Sequence, residues 1–152
     1  MVRVLFVCLG NICRSPMAEF IMKDMIQKQG LADKIYVESA GTSDEEEGNP
    51  VYYLAKNKLD EYGINSSGKV ARQLKYSDYD KFDYIVGMEN TNIRACFRIF
   101  GGDNMNKISR LLDFTDRPGD IDDPWYTRDF DTAYSEIYNG CDALLKYIVQ
   151  NM

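Results

Sequence analysis

Apolar positions along this chain fall into two regimes. Short continuous runs alternate with longer stretches in which apolar residues step at three and four. Residues 2–7, Val2-Arg3-Val4-Leu5-Phe6-Val7, read as a first strand buried on both faces. Residues 16–29 carry Met17, Phe20, Ile21 and Met25 on one helical face and end near Gly30. A short second strand is expected over 34–38, and a helix over 51–62 that closes at Gly63. Residues 84–86 read as a third strand, 91–100 as a helix and 108–112 as a weaker fourth strand. From Phe130 through Ala133, Ile137, Cys141 and Leu144 to Ile148 the pattern predicts a long amphipathic C-terminal helix. Strand and helix alternation predicts an α/β fold, a parallel sheet with helices on both faces, in a single domain over 1–152. No internal repeat or linker divides it.

The first strand runs directly into chemistry. Cys8 ends it, Gly10-Asn11 turns the chain, and Arg14-Ser15-Pro16 enter a helix. A strand–turn–helix of this kind builds a cradle of backbone N–H groups, a ready oxyanion site. The same cradle draws the pKa of a thiol at its centre from about 8.5 toward roughly 3.5–7.5. Arg14 adds a planar fork that matches two oxygens of a phosphate. An unpaired cysteine at a strand end also suits a core, and Ser15 also suits a helix N-cap. The coincidence of strand, turn, cysteine, arginine and helix start favours an enzyme that attacks phosphorus with sulfur. Cys8 would form a phosphocysteine, with the amides of Leu9, Gly10, Asn11, Ile12, Cys13 and Arg14 holding phosphate oxygens. Ser15 can cap the helix, donate its hydroxyl to the Cys8 thiolate, or do both. Asn11 tolerates the left-handed backbone such a turn requires.

Composition narrows the alternatives. With 24 acidic against 18 basic residues the net charge is −6, which argues against nonspecific nucleic-acid binding. There is no histidine, so Cys–His and Ser–His pairs and the commonest metal ligand are excluded. Cys8 and Cys13 miss the usual zinc spacing, and no metal or organic cofactor is expected. Four cysteines in a chain this long suit reduced thiols. Cys96 and Cys141, on helical faces, are expected in the core. No apolar run reaches the ~18 residues of a membrane span, and Val2 to Leu9 is too short for a signal peptide. The expected location is the cytoplasm, without membrane insertion.

A leaving oxygen needs a proton, so a carboxyl must face the loop. Seven aspartates crowd residues 113–131, most of them expected to be solvated. Asp123 stands apart: Pro124 restricts its backbone, and Trp125-Tyr126 supply apolar walls. Asp122 is the second candidate. Ile12, Trp125 and Tyr126 suggest a slot deep enough for phosphotyrosine and too deep for phosphoserine.

Cys8-Leu9-Gly10-Asn11-Ile12-Cys13-Arg14-Ser15 resembles the signature loop of the low-molecular-weight protein tyrosine phosphatases. Ser39-Ala40-Gly41-Thr42, Ala71-Arg72-Gln73, Met88-Glu89 and Asp123-Pro124-Trp125-Tyr126 resemble the same family, so the likeness spans almost the whole chain. It implies a four-stranded, flavodoxin-like sheet and hydrolysis of protein phosphotyrosine and small aryl phosphates. It also implies Asp123 as the general acid and then the base for water, and Asn11 pinned partly through Ser39. Family precedent favours a reversible Cys8–Cys13 disulfide that shields Cys8 from oxidation. Phosphotyrosine proteins are the implied partners and, by analogy, a cognate tyrosine kinase.

Departures matter as well. Asp44 and Glu45, Glu46 and Glu47 stand where relatives often place an aromatic, and would disfavour acidic peptides if they face the site. Lys69 stands for a frequent histidine and Glu89 for a frequent aspartate, which suggests a preserved cation–carboxylate pair. Arsenate reduction on the same fold needs cysteines that relay a disulfide outward, and only Cys96 and Cys141 are on offer. An inactive phosphate-binding module is the other alternative, but intact Cys8, Arg14 and Asp123 argue against it, since a binder would not need both nucleophile and acid.

Overall fold

The computed structural model describes residues 1–152. The chain orders its elements as β1 (Val2–Cys8), α1 (Arg14–Lys28), β2 (Ile35–Gly41), α2 (Tyr53–Glu61), α3 (Asp78–Lys81) and β3 (Tyr84–Gly87). These are followed by α4 (Asn90–Phe100), β4 (Ile108–Arg110), a 3-10 turn (Leu111–Phe114), α5 (Pro124–Thr127) and α6 (Phe130–Gln150). The four strands are all parallel in the order β2-β1-β3-β4. The α/β architecture expected from the alternating pattern is therefore present.

β1 is central and its side chains divide by parity. Val4, Phe6 and Cys8 join a cluster of 28 buried residues that includes the inner faces of α1, α2 and α6. Leu5 and Val7 join a smaller cluster of 8, with Phe82, Ile85, Cys96 and Phe100 on the opposite face. Cys96 and Cys141 are both fully buried, one in each cluster, as their helical positions predict. Gly140 lets α6 press against the 3-10 turn: a Cβ there would lie 2.5 Å from Leu111 Cγ. No helix is long and apolar enough to cross a membrane.

Several boundaries differ from expectation. β2 runs on to Gly41 instead of ending at residue 38, because Ser39, Ala40 and Gly41 pair with Phe6, Val7 and Cys8. β4 stops at Arg110, and Leu111–Phe114 coil into a 3-10 turn that buries Leu111 and Leu112 under α6. The four-residue helices α3 and α5 carry too short a period to register in the sequence.

Neighbouring β1 and β3 send their chains in opposite directions across the sheet, to β2 and to β4. A crevice opens beyond their carboxyl ends, the position where open α/β sheets bind ligands. Cys8 closes β1 at that point.

Candidate active site

The loop from Cys8 to Arg14 is held from below by one polarised chain of hydrogen bonds. Asn11 adopts φ 59°, and its Oδ1 accepts the Arg72 backbone N–H at 3.1 Å. That donor settles the orientation of the amide. Both Nδ2 hydrogens then go outward, to Ser15 Oγ at 2.8 Å and Ser39 Oγ at 3.0 Å. The same Ser15 Oγ lies in hydrogen-bond contact with Cys8 Sγ, 3.0 Å away. The Asn11 N–H donates to the same sulfur at 3.3 Å. Ser15 is therefore no helix cap: α1 begins at Arg14 with Cys13 at the N-cap position, and the serine hydroxyl serves the sulfur instead.

The other end of the chain is anchored by charge. Ser39 donates to Glu19 Oε1 at 2.5 Å, and Lys69 Nζ lies 3.1 Å from that oxygen. Lys69 also donates to the Ser39 carbonyl at 3.0 Å, while Lys23 holds the other Glu19 oxygen at 2.5 Å. Glu19 is buried in α1, and nothing in its local sequence marked it. The expected pairing of Lys69 with Glu89 does not occur. Lys69 belongs to Glu19, and Glu89 grips Arg14.

Arg14 is almost wholly buried, with 2% of its surface exposed. Its Nη1 donates to Glu89 and, at 2.8 Å, to the Ile121 carbonyl; its Nη2 donates to Asp123 Oδ2 at 3.3 Å. Burial opposes its charge, but the facing Cys8, Asp123 and Glu89 prevail and raise its pKa further. A guanidinium has five N–H groups, so Nε–H and one Nη2–H have no protein partner. Those two form one edge of the fork, a geometry that can receive two oxygens of an oxyanion.

The acid loop is fixed by the same arginine. Ile121 is fully buried and its N–H donates to the Met88 carbonyl at 2.9 Å, which ties the loop to the end of β3. Two residues on, Asp123 caps α5, its Oδ1 accepting the Trp125 N–H at 3.0 Å, with Pro124 in the first turn. Trp125 meets the Tyr52 ring edge-on at 4.7 Å, and Arg128 lies over both rings. Tyr126 stands at the rim, 75% exposed.

Cys8, Leu9, Gly10, Ile12, Cys13 and Arg14 share one cleft of about 240 Å³ with Asp123, Trp125 and Tyr126. Asn11, Ser15 and Ser39 lie buried beneath it. Asp122 is exposed and lines an adjoining cleft instead. Glu45 and Glu46 line the main cleft, but Glu47 does not. Cys13 is free; burial above all, with the Cys8 charge next, pushes its thiol far above the usual cysteine range.

A family model described as low molecular weight phosphotyrosine protein phosphatase matches residues 3–152. The chain belongs to this family. It is 43% identical over 150 residues to the low molecular weight protein-tyrosine-phosphatase YfkJ of Bacillus subtilis, covering 97% of this chain and 96% of that protein. It is 37% identical over 152 residues to PtpA of Staphylococcus epidermidis, covering 99% and 96% of the two chains. The crystal structure of YfkJ superposes with a TM-score of 0.97 at 42% identity, covering 99% and 96% of the chains. A low molecular weight protein tyrosine phosphatase from Streptococcus pyogenes gives 0.87 at 39%, covering 97% and 93%.

As a phosphatase of this family, the molecule acts on phosphoprotein substrates. Its loop is positioned without any imidazole, through the Glu19–Lys69 pair.

Proposed function

We propose that this phosphatase hydrolyses phosphotyrosine, and small aryl phosphates, through a phosphocysteine on Cys8. The Cys8 sulfur attacks phosphorus, the S–P bond forms and the P–O bond to the phenol breaks. Asp123 delivers its proton to the departing oxygen. Its carboxylate then takes a proton from water, which attacks phosphorus, breaks the S–P bond and releases phosphate with the thiolate restored. The loop amides from Leu9 to Arg14 and the free edge of Arg14 hold the phosphoryl oxygens throughout.

One observation carries this reading. Cys8 Sγ accepts the Asn11 N–H at 3.3 Å and lies 3.0 Å from the Ser15 hydroxyl oxygen, at the floor of a cleft that Arg14 and Asp123 also line. The 3.3 Å contact from Arg14 to Asp123 is the weaker of the bonds at that arginine, and a bound phosphate would compete for its Nη2. Ile12 and Trp125 wall a slot that suits an aryl ring.

Cys13 is part of the same reading. A peroxide oxidises Cys8 to a sulfenic acid, and the Cys13 thiol then displaces water to leave a disulfide that a thiol reductant reopens. A cognate tyrosine kinase and its targets are the proposed substrates, and the cytoplasm the proposed location. Arsenate reduction has no support: Cys96 and Cys141 are fully buried in the two core clusters, away from the cleft.

The test is turnover of an aryl phosphate and a phosphotyrosine peptide by wild type, Cys8→Ser and Asp123→Ala. Cys8→Ser should be inactive, and Asp123→Ala slowed most on the poorer leaving group. Full activity in Cys8→Ser would overturn the mechanism.

A further inference from the structure

The cleft that captures a phosphate dianion has an acidic mouth. Arg14 is the only base lining the cleft and its neighbour, against six carboxylates: Glu45, Glu46, Glu89, Asp120, Asp122 and Asp123. Three of the six are accounted for internally. Glu89 and Asp123 face Arg14, and Asp120 pairs with Arg110 at 3.0 Å. Glu45, Glu46 and Asp122 have no cationic partner. Glu45 and Glu46 line the main cleft from the loop after β2, and Asp122 lines the adjoining cleft, which shares Leu9, Arg14, Asp123 and Tyr126 with it.

Their placement is built into the fold. Thr42 N–H donates to the Cys8 carbonyl at 2.9 Å and Ser43 N–H to the Leu9 carbonyl at 3.0 Å, which ties the loop after β2 to the phosphate loop. At its far end, Gly48 and Asn49 exchange backbone bonds with Ala71, each 2.8 Å. Between them the Glu45 N–H donates to Ser43 Oγ at 3.1 Å. The stem of Glu46 lies against the phosphate loop, since a Cβ on Gly10 would sit 3.3 Å from Glu46 Cγ. Asn49 steadies the Glu46 carboxylate at 2.7 Å. On the acid loop, the Ile121–Met88 bond and the Asp123 cap confine Asp122 between two anchored residues.

Given the phosphotyrosine reading above, on which this rests, we propose that the enzyme selects phosphotyrosines flanked by lysine or arginine. The phosphate itself is drawn by the buried arginine and the loop amides. The residues on either side of the tyrosine emerge at the rim, where they meet uncompensated carboxylates. A cationic neighbour is attracted there, and a glutamate or aspartate is repelled. Glu45 and Asp122 are exposed and Glu46 is half-buried, so their influence fades beyond a screening length of about 8 Å at physiological salt. Selection therefore acts on the residues adjacent to the phosphotyrosine rather than on distant sequence, and it enters through encounter more than through the chemical step.

The experiment compares kcat/KM for three phosphotyrosine peptides that differ only in having arginine, alanine or glutamate flanks. An aryl phosphate without flanks serves as reference. Wild type at low salt should prefer the arginine peptide over the glutamate peptide by roughly tenfold, the sum of two or three exposed charge contacts. At roughly 1 M salt, where screening shortens to about 3 Å, the ratio should fall toward one. Glu45→Gln/Glu46→Gln/Asp122→Asn should collapse the ratio at low salt, and Glu45→Lys should move it toward the acidic peptide. Equal rates on the three peptides at low salt, or a preference that survives both high salt and the triple substitution, would overturn the proposal. If wild type turned over neither the peptides nor the aryl phosphate, the catalytic reading itself would fall.

Discussion

Lys69 sets its ammonium 3.1 Å from the buried carboxylate of Glu19. The pair lies one serine away from Asn11 and two hydrogen bonds further from the Cys8 sulfur. Glu19 cannot lose its partners cheaply, because a buried carboxylate without compensation is costly. Replacing Lys69 by alanine leaves Lys23 as the only cation on Glu19, and that residue is half in solvent. The expected loss of stability is about 3 kcal/mol, at the low end for one partner of a buried pair. Urea unfolding reads the stability. Because Lys69 acts through Ser39 and Asn11, kcat should fall as well, and Lys69→Arg should recover part of it. Wild-type stability and kcat in Lys69→Ala would show that the anchor is dispensable.

Gly41 ends β2 where the phosphate loop crosses it. A Cβ there would meet the Leu9 carbonyl oxygen at 2.9 Å and Asn11 Cβ at 3.2 Å. Its backbone is also committed, with its N–H on the Arg72 carbonyl at 2.8 Å and its carbonyl accepting from Leu74 at 2.7 Å. Neither side can yield freely. Gly41→Ala should cost about 1–3 kcal/mol and lower kcat/KM by displacing the loop. Thermal unfolding and aryl phosphate kinetics on the same sample check both.

Arg14→Lys keeps the charge and loses the planar fork. A lysine cannot serve Glu89, the Ile121 carbonyl and Asp123 while presenting a two-toothed edge to phosphate. The expected fall in kcat is about 10²–10³-fold, the scale of losing one preorganised oxyanion donor. A kcat within a few-fold of wild type would mean that the loop amides carry the phosphate unaided.

Glu38 makes stability depend on acid. Burial alone would raise its pKa, but hydrogen bonds from Tyr36 and Lys81 and the charges of Arg72 and Lys81 hold it down to about 2, from 4.5. Below pH 4.5 the unfolded chain therefore binds a proton that the folded chain refuses. The stability this residue contributes is complete above pH 4.5 and is lost as pH falls toward about 2. Unfolding free energy against pH should drop more steeply across that interval in wild type than in Glu38→Gln. Parallel curves would assign acid sensitivity elsewhere.

Much of this enzyme was legible in the order of its residues. The run Val2 to Val7 had to be a strand buried on both faces, since it is apolar almost without break, and helical spacing from Phe130 to Ile148 marked α6. Cys8 and Arg14 declared themselves because strand, turn and helix are local, and so does the chemistry they build. Asp123 was separable from six neighbouring aspartates only through Pro124 and the two aromatics behind it. Contacts between distant segments were decided by tertiary structure. Lys69 and Glu89 invite pairing on paper, but the fold delivers Lys69 to Glu19 across β2 and places Glu89 against Arg14. Ile121, whose carbonyl holds that arginine from 107 residues away, carries no chemical mark at all. Local periodicity follows from the geometry of one element. Which polar groups share a buried pocket depends on how the sheet aligns the ends of β1, β2 and β3, and no short window of sequence contains that alignment.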